Sequence, residues 1–267
     1  MLPIKTILFY PTILIHGIGG DSSDLQDLKV NLEDKGVEVY NIEIGNGKLD
    51  SIIWNINKQC EVFSENINNL SIESKKINII GVSQGGLLAR CYVEKYSSYI
   101  KPVNSLITYG TPHMGVYIPW INLKRLEYWK DPYNYHEYLN NNDFLVYINN
   151  EKTHTDVKLY RDNMLSLNNF LVVWSDLEKV VKPKESTKFE FFNTTFANIT
   201  GELKIIDFQK SEQFTEDKIG LQELYKNNKL LLKQFDCLHE EFKHPKCFSK
   251  NFTNQKTTLL HLTLSLL

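Results

Sequence analysis

Ser83 stands in the stretch GVSQGG, which follows an apolar run and precedes an amphipathic one. The spacing Gly81-x-Ser83-x-Gly85 matches G-x-S-x-G, in which a serine occupies a sharp turn between a strand and a helix and presents its hydroxyl to a substrate. Neighbouring side chains would collide at such a turn, which accounts for the glycines on both sides. The pattern predicts a nucleophilic serine; the alternative is a glycine-rich turn with an incidental serine.

A nucleophilic serine needs a base, and the base needs an acid that orients it. With a G-x-S-x-G serine, the three residues follow one another in the order serine, acid, histidine. Among the seven histidines of the chain this order favours His239, which directly follows the stretch LLLKQFDCL, with His244 in reserve. His261 lies in an apolar tail, LLHLTLSLL, and is expected to be packed.

The acid is expected just after a strand between Ser83 and His239. The stretch FLVVWSDLEKVVKP offers two carboxylates there, Asp176 and Glu178. Either of them can hold an imidazole in the required tautomer. An exposed carboxylate on a turn is the alternative for both, and the residues alone leave the choice open.

The negative oxygen that forms during acyl transfer needs two backbone N–H donors. One is expected from Gln84, the residue after the nucleophile, and the other from the loop after the first strand. That loop is HGIGG, residues 16–20, and Ile18 is the predicted donor. It is not a phosphate-binding loop, because no GK[ST] follows it. The alternative is a simple glycine turn.

The elements that must position these residues alternate between strand and helix. The predicted strands are 12–16, 37–44, 77–82, 103–110, 169–174 and 228–235, and the predicted helices are 22–35, 52–67 and 85–99. Such alternation is typical of an α/β fold with a mostly parallel sheet and helices on both faces. We expect one domain, residues 1–267, interrupted by an inserted, lid-like segment at about 116–158 that is rich in Tyr, Trp and Asn.

Charge, apolar runs and cysteine spacing bear on which partners and sites can be expected. The net charge of -2 gives no electrostatic reason to expect nucleic acid as a partner. No apolar run approaches the roughly 18 residues of a transmembrane helix. None of the four cysteines lies in a CxxC pair, so a zinc site is not expected. Asn-x-Ser/Thr sequons at Asn69, Asn193, Asn198 and Asn251 are weak indications of a secreted glycoprotein.

Six stretches of the chain resemble the palmitoyl-protein thioesterase family. They are ILIHGIGG, IIGVSQGGLLAR, YGTPHMGVY, LEYWKDPYNYHEYLNNNDFLVYINNE, LEKVVKP and EDKIGLQELYKNNKLLLKQFDCLH. Together they span most of residues 12–240. The combination of GVSQGG with a downstream EYWKDP and FLVYINNE is far more specific than G-x-S-x-G alone.

The resemblance implies the α/β-hydrolase fold and a lysosomal enzyme that removes long fatty acyl groups from cysteine thioesters of proteins or peptides. By position, Ser83 matches the family's nucleophile and His239 its base, while Ile18 and Gln84 match the oxyanion donors. Glu178 aligns with the family's aspartate, counting back from VVKP. Neither a metal nor an organic cofactor is implied.

Three features depart from the family pattern. The acid is a glutamate where the family has aspartate, which keeps Asp176 as the reserve acid. The segment between GVYIPW and LEYWKDP is shorter than the family's, where helices that cover an acyl chain are expected, and the tail after Cys247 does not resemble the family's ending. Only Cys60 occupies one of the family's usual disulfide positions, and a Cys237–Cys247 pair stays open.

A long acyl chain needs an apolar groove, because each buried methylene stabilises binding by about 0.8 kcal/mol. The inserted segment supplies a cluster of apolar side chains for it. The candidates are Tyr117, Ile118, Trp120, Leu123, Leu126 and Trp129. The alternative is that these residues pack a surface excursion onto the sheet.

Two other functions fit the same residues. The same three groups cleave oxygen esters in lipases and carboxylesterases, and the altered acid, shorter segment and unusual tail are compatible with a catalytically weakened acyl-binding homologue. The first residues, MLPIKTILFYPT, lack a small-residue cleavage site and are not expected to form a complete signal peptide. The resemblance alone therefore indicates the lysosome or secretory pathway.

Overall fold

A computed structural model describes residues 9–121, 126–251 and 257–267 of the chain. Leu123, one of the predicted groove residues, and most of the N-terminal stretch lie outside these residues. The described strands are β1 (Thr12–Ile15), β2 (Val39–Ile42), β3 (Ile77–Val82), β4 (Val103–Tyr109), β5 (Asn169–Trp174), β6 (Phe191–Phe192), β7 (Ile205–Ile206) and β8 (Leu230–Gln234).

The helices cover the sheet and build the connections between its strands. Those described are α1 (Gln26–Glu33), α2 (Lys48–Ile53), α3 (Ile56–Asn69), α4 (Gln84–Tyr96), α5 (Tyr135–Asn141), α6 (Leu145–Ile148), α7 (Val157–Leu165), α8 (Thr194–Thr200), α9 (Glu212–Thr215), α10 (Leu221–Lys226), α11 (Pro245–Phe248) and α12 (Leu259–Leu266). The predicted single helix 52–67 is wrong in one respect. Trp54 is extended, with ψ of 141°, and Asn55 caps a new helix by accepting from the Lys58 N–H.

Six strands form one sheet in the order β2-β1-β3-β4-β5-β8, and every neighbouring pair is parallel. Along the chain, β1 therefore lies one strand in from the edge, β2 forms that edge, and the later strands add on the other side of β1 out to β8. This arrangement confirms the predicted mostly parallel sheet. It also brings the residues that follow β1, β3, β5 and β8 to the same edge of the sheet, where a site in an α/β fold is expected.

The sheet is buried on both faces. Along β1, Ile13 and Ile15 belong to a core shared with α3 and α4, whereas Leu14 points into a second core shared with α1 and α12. This alternation follows from the period of two residues in a strand. The prediction of helices on both faces is confirmed. A disulfide between Cys60 and Cys91 links α3 to α4 within the first core.

In the tail that departs from the family pattern, α12 packs on the sheet. Tyr109 Oη and Thr263 Oγ1 are hydrogen-bonded at 2.6 Å, and the Ser105 hydroxyl donates to the Leu266 carbonyl at 2.5 Å. His261 is exposed, contrary to the expectation that it is packed. In a helix with one buried face, its position falls on the face turned to solvent.

Buried polar groups hold the described part of the inserted segment to α4 and to itself. Arg90 on α4 donates to the Ile148 carbonyl at 2.9 Å and to Asn149 Oδ1 at 3.0 Å. Lys130 and Glu151 form an ion pair of 2.5 Å with both side chains buried. The described part of 116–158 thus contains short helices held by specific contacts. Its lid-like role stays a prediction.

Candidate active site

Ser83 occupies a strained turn between β3 and α4. Its φ of 56° and ψ of -127° lie in a region that non-glycine residues rarely adopt, at a cost of about 1–3 kcal/mol. The Ser83 N–H donates to the Tyr109 carbonyl at 2.8 Å, which fixes the turn to β4. A Cβ at Gly85 would lie 2.4 Å from the Ile15 carbonyl oxygen, so only glycine lets α4 begin this close to β1.

His239 and Glu178 are brought together from loops that follow two neighbouring strands. His239 Nδ1 lies 2.6 Å from Glu178 Oε2, and both side chains are buried. His239 follows β8 and opens a 3-10 turn that ends at Lys243, and Glu178 lies in the tight turn after β5. Gly110, with φ of 57°, leaves room for the imidazole, because a Cβ there would approach His239 Nδ1 to 3.3 Å.

The second carboxylate oxygen of Glu178 closes its own loop. Oε1 accepts hydrogen bonds from the backbone N–H groups of Val180 (2.7 Å) and Val181 (3.0 Å). Burial by itself raises the pKa of Glu178, but the hydrogen bond and the charge of His239, together with these N–H groups, outweigh burial and hold the pKa below its ordinary value. Glu178 is therefore built to be an oriented, ionised acceptor for the imidazole.

The two reserve residues are placed elsewhere. Asp176 is exposed and pairs with Lys184 at 2.8 Å, while Gln234 Nε2 donates to its other oxygen at 2.9 Å. It precedes Glu178 by two residues and points outward from the turn after β5. His244 is half-exposed and faces Asp27 at 3.4 Å. Neither side chain meets the His239–Glu178 pair, so the structure does not bring these reserve groups into the site.

One cavity is lined by both the predicted nucleophile and the predicted base. Ser83 and His239 line it together with the 16–20 loop, Val180 and Lys243, and it holds about 650 Å³ of empty space, part of it open to solvent. No hydrogen bond joins Ser83 Oγ to another described residue. The His239 Nδ1 atom is used by Glu178, so Nε2 is the ring atom left to accept a proton from the serine.

Of the two predicted oxyanion donors, Ile18 lines this cavity and Gln84 directly follows Ser83 in the chain. Among described residues, none accepts a hydrogen bond from the backbone N–H of Ile18 or of Gln84. Gly17 explains how the loop approaches the nucleophile, because a Cβ there would lie 2.9 Å from Ser83 Cβ. Two unpaired N–H donors beside a serine can stabilise an oxyanion.

Behind these donors lies a buried polar network that the sequence did not reveal. Gln84 Oε1 accepts from the Tyr128 hydroxyl at 3.0 Å, and Gln84 Nε2 donates to Gln59 Oε1 at 3.0 Å and to the Ser51 carbonyl at 3.2 Å. The Gly19 N–H donates to Ser51 Oγ at 2.9 Å. The one available signal was the pairing of the GVSQGG and EYWKDP motifs, which contain Gln84 and Tyr128.

The predicted groove residues that the structure describes do not line the Ser83 cavity. Trp120 is fully exposed and Ile118 is partly buried. The Tyr117 ring packs on Trp129 with centroids 5.2 Å apart, because these aromatic rings shield one another from water. Leu126 lines a smaller cavity behind the oxyanion donors, next to Ile18.

Among described residues, no group of three or more His, Cys, Asp and Glu side chains is placed to hold a metal ion. No described helix has both the length and the apolar character to cross a bilayer.

The sequence of the chain is similar to those of known thioesterases. A family model described as palmitoyl protein thioesterase matches residues 11–124 and 117–239. Palmitoyl-protein thioesterase 3 of Dictyostelium discoideum is 31% identical over 271 residues, covering 91% of this chain and 90% of that protein. The lysosomal thioesterase PPT2 homolog of Drosophila melanogaster is 26% identical over 251 residues, covering 85% of this chain and 84% of its own length.

Among solved structures, an extracellular alpha/beta-hydrolase from a Paenibacillus species aligns over 86% of this chain and 91% of its own, with a TM-score of 0.47 and 10% identity. The matches to the family model run from before β1 to His239, so they include the serine turn, the carboxylate loop and the imidazole. The chain belongs to the palmitoyl protein thioesterase family.

Proposed function

We propose that the chain is a serine thioesterase that hydrolyses long-chain fatty acyl thioesters of cysteine residues in proteins or peptides, through an acyl-serine intermediate. The observation that carries the proposal is the 2.6 Å contact between His239 Nδ1 and Glu178 Oε2 in the wall of the cavity that Ser83 also lines. The names of the relatives supply the substrate class.

In the proposed reaction, Ser83 Oγ attacks the thioester carbonyl while His239 Nε2 accepts the serine proton. Glu178 holds the ring through Nδ1 and stabilises the imidazolium that forms. The lowered pKa of Glu178 supports this role, because an ionised carboxylate is what an imidazolium needs beside it. Serine and imidazole must approach each other on substrate binding, as catalytic hydrogen bonds often tighten only then.

The N–H groups of Ile18 and Gln84 then stabilise the negative oxygen of the tetrahedral intermediate. Its collapse breaks the carbon–sulfur bond and releases the cysteine thiolate, which takes up the proton that His239 accepted from Ser83, so the imidazole is again neutral. Because a thiol has a pKa of about 8.5, its thiolate departs far more readily than an amine anion. Water, activated by His239, finally cleaves the acyl-serine ester and regenerates the Ser83 hydroxyl.

For the acyl chain we propose a path over the apolar rim of the cavity towards the inserted segment. Val180 lines the cavity and is 55% exposed. The Tyr117 N–H donates to the Lys182 carbonyl at 2.7 Å, so the segment of Tyr117, Ile118 and Trp120 lies beside the Glu178 loop. Trp129 contributes by supporting Tyr117 from below.

A lysosomal or secretory location completes the proposal. Relatives from Drosophila melanogaster, Bos taurus and Homo sapiens are named lysosomal thioesterases. Both disulfides, Cys60–Cys91 and Cys237–Cys247, fit an oxidising compartment. Three of the predicted sequon asparagines, Asn69, Asn198 and Asn251, are exposed and open to glycosylation.

The test compares hydrolysis of an S-palmitoyl peptide with that of a matched palmitoyl oxygen ester, and adds labelling by a fluorophosphonate probe. We expect a preference for the thioester and covalent labelling of Ser83. Ser83→Ala should lower turnover by on the order of 10⁶-fold and abolish labelling, with an unchanged melting temperature. Ser97→Ala, at the other end of α4, is the control and should keep both.

Each alternative gives a different result. A strong preference for the oxygen ester would identify a lipase or carboxylesterase. Folded protein that neither turns over substrate nor labels at Ser83, yet binds palmitate, would identify a catalytically weakened acyl-binding homologue. Either outcome contradicts the proposal.

A further inference from the structure

We propose that Ser51 is a positioning residue that fixes the positions of the two oxyanion donors relative to each other. The inference rests on the proposed function, because it assigns the backbone N–H groups of Ile18 and Gln84 to the oxyanion. Ser51 lies on α2, outside the G-x-S-x-G turn and outside the HGIGG loop, and it does not touch the reacting atoms.

The side chain of Ser51 fixes the first donor loop. Its Oγ accepts the Gly19 N–H at 2.9 Å and donates to the Lys48 carbonyl at 2.8 Å. Gly19 directly follows Ile18 and has a φ of 68°. Among the described side chains outside residues 16–20, Ser51 is the one that hydrogen-bonds to the backbone of this loop. Within the loop, His16 Nδ1 lies 2.9 Å from the Gly17 carbonyl oxygen, and the Ser51 contact ties the loop to α2.

The backbone of Ser51 fixes the second donor. Its carbonyl accepts from Gln84 Nε2 at 3.2 Å and from Gln59 Nε2 at 3.1 Å. Gln84 carries the second oxyanion N–H on its own backbone. One residue therefore hydrogen-bonds the loop that bears one donor and the side chain of the residue that bears the other.

Every polar group in this network has to be hydrogen-bonded, because the network is buried. Ser51, Gln59 and Gln84 are each no more than 3% exposed, and buried polar groups cost free energy unless they are hydrogen-bonded. Both ends of the Gln84 amide are satisfied, its oxygen by the Tyr128 hydroxyl and its nitrogen by Gln59 and Ser51. Such a satisfied network specifies one arrangement of the elements that it joins. Those elements carry the two donors.

Ser51→Ala tests the inference with Ser64→Ala as its matched control. Ser64 is also a buried helical serine whose hydroxyl donates to the carbonyl three residues earlier, that of Glu61, at 2.7 Å. Only Ser51 additionally accepts an N–H from the donor loop. Both substitutions remove one helical hydrogen bond, so a difference between them reports on the Gly19 contact.

The readouts are kcat, KM and the inhibition constant of a long-chain alkyl boronic acid, which forms a tetrahedral adduct with a catalytic serine. Ser51→Ala should lower kcat about 10-fold with little change in KM, and should raise the boronate inhibition constant by a similar factor, because a misplaced donor costs part of the effect of a lost one. Ser64→Ala should change neither. Ser51→Thr keeps the hydroxyl and should restore boronate binding.

The inference fails if Ser51→Ala lowers the melting temperature but leaves kcat and boronate binding of the folded protein unchanged, or if Ser64→Ala reproduces its effects. An active wild type with an unaffected Ser51→Ala variant overturns only this inference. A wild type that neither hydrolyses thioester nor reacts with a fluorophosphonate overturns the proposed function and the inference together.

Discussion

The two sides of the Ser83 cavity are built in different ways. On the side of Ile18 and Gln84, side chains from α2, α3, α4 and the inserted segment form one buried hydrogen-bonded network. On the side of His239, one contact of 2.6 Å joins the imidazole to Glu178. His239 also follows β8, which is an edge strand of the sheet.

The difference matches what each side has to do. Oxyanion stabilisation depends on dipoles that are in place before charge develops, so a rigid support is favourable. In the proposed reaction, His239 must accept a proton from Ser83, pass it on and tolerate a change in its own charge. A single oriented contact with a carboxylate allows this change, since Glu178 balances the imidazolium.

Each side also has its own disulfide. Cys60–Cys91 joins α3 to α4 and so supports the oxyanion side. Cys237–Cys247 brackets His239, and within that loop Glu241 accepts the Leu238 N–H at 2.9 Å. The base side thus relies on short-range covalent and capping contacts where the oxyanion side relies on contacts between distant segments.

The largest effect is expected from breaking the one contact of the base side. Glu178→Gln should lower kcat/KM by on the order of 10³–10⁴-fold, because an amide can hold the ring in the wrong tautomer and cannot balance the imidazolium. The matched control is Asp176→Asn, two residues earlier in the same turn, which removes an exposed pair with Lys184. Its activity should stay within about twofold of wild type, as exposed ion pairs contribute little.

The measurement is steady-state hydrolysis of a palmitoyl thioester, with circular dichroism to confirm folding. If Asp176→Asn loses activity as severely as Glu178→Gln, the acid has been misassigned and the base side is more extended than one contact.

Opening each of the two disulfides should affect stability and catalysis to different extents. Loop closure predicts a loss of about 4 kcal/mol for opening Cys60–Cys91 and about 3 kcal/mol for Cys237–Cys247, since the sequence separations are 31 and 10 residues. Catalysis should respond in the opposite order, because only Cys237–Cys247 encloses His239. We expect its double Cys→Ser variant to show the larger fall in kcat for folded protein.

Urea unfolding and kcat measured below the unfolding transition test this ordering. Equal kcat values in both double variants would show that the His239 loop is held without its disulfide.

The sequence predicts the two sides unequally. Ser83, Gln84 and Ile18 were predicted from local patterns, because a strand, a glycine turn and a helix are specified by adjacent residues. His239 and the two candidate acids required the chain order that accompanies a G-x-S-x-G serine, and the residues alone did not separate Glu178 from Asp176. The resemblance favoured Glu178, and in the structure the turn after β5, closed by the N–H groups of Val180 and Val181, brings Glu178 to His239.

The network of Ser51, Gln59 and Tyr128 was not predictable because its members are far apart in sequence and carry ordinary polar side chains. The fold itself was predictable from alternation, since β3 and β5 have the predicted bounds. For Trp120, the sequence does not predict exposure to solvent. Its apolar character predicted a groove, but the structure places it in solvent, because apolar composition does not reveal which side chains shield one another.

The base side should also respond to acid. Because the pKa of Glu178 is lower in the folded protein than in the unfolded chain, its carboxylate stabilises the fold above the unfolded value of 4.5, and this contribution is lost as the pH falls through the folded value. Wild type should therefore be more stable than Glu178→Gln at about pH 6, with a smaller gap at about pH 3. Urea unfolding at both pH values measures the gap. A gap that widens in acid would contradict the sign.

The smallest effect is expected from trimming the far end of the oxyanion network. Tyr128→Phe removes the hydroxyl that donates to Gln84 Oε1 at 3.0 Å and keeps the buried ring. The free energy of unfolding should fall by about 1–2 kcal/mol, because a buried amide oxygen loses its donor. Since Gln59 and Ser51 still hold the Gln84 nitrogen, kcat should fall only about two- to threefold, less than a full misplacement of a donor would cost.

Tyr92→Phe is the control, because Tyr92 is likewise a buried tyrosine whose hydroxyl donates at 3.0 Å, in its case to the Lys101 carbonyl away from the cavity. It should lose comparable stability with kcat unchanged. If Tyr128→Phe leaves kcat at the wild-type value while Ser51→Ala lowers it, the network positions the donors only through Ser51. If Tyr128→Phe has an effect as large as Glu178→Gln, the oxyanion side depends on a single contact as the base side does, and the contrast between them is lost.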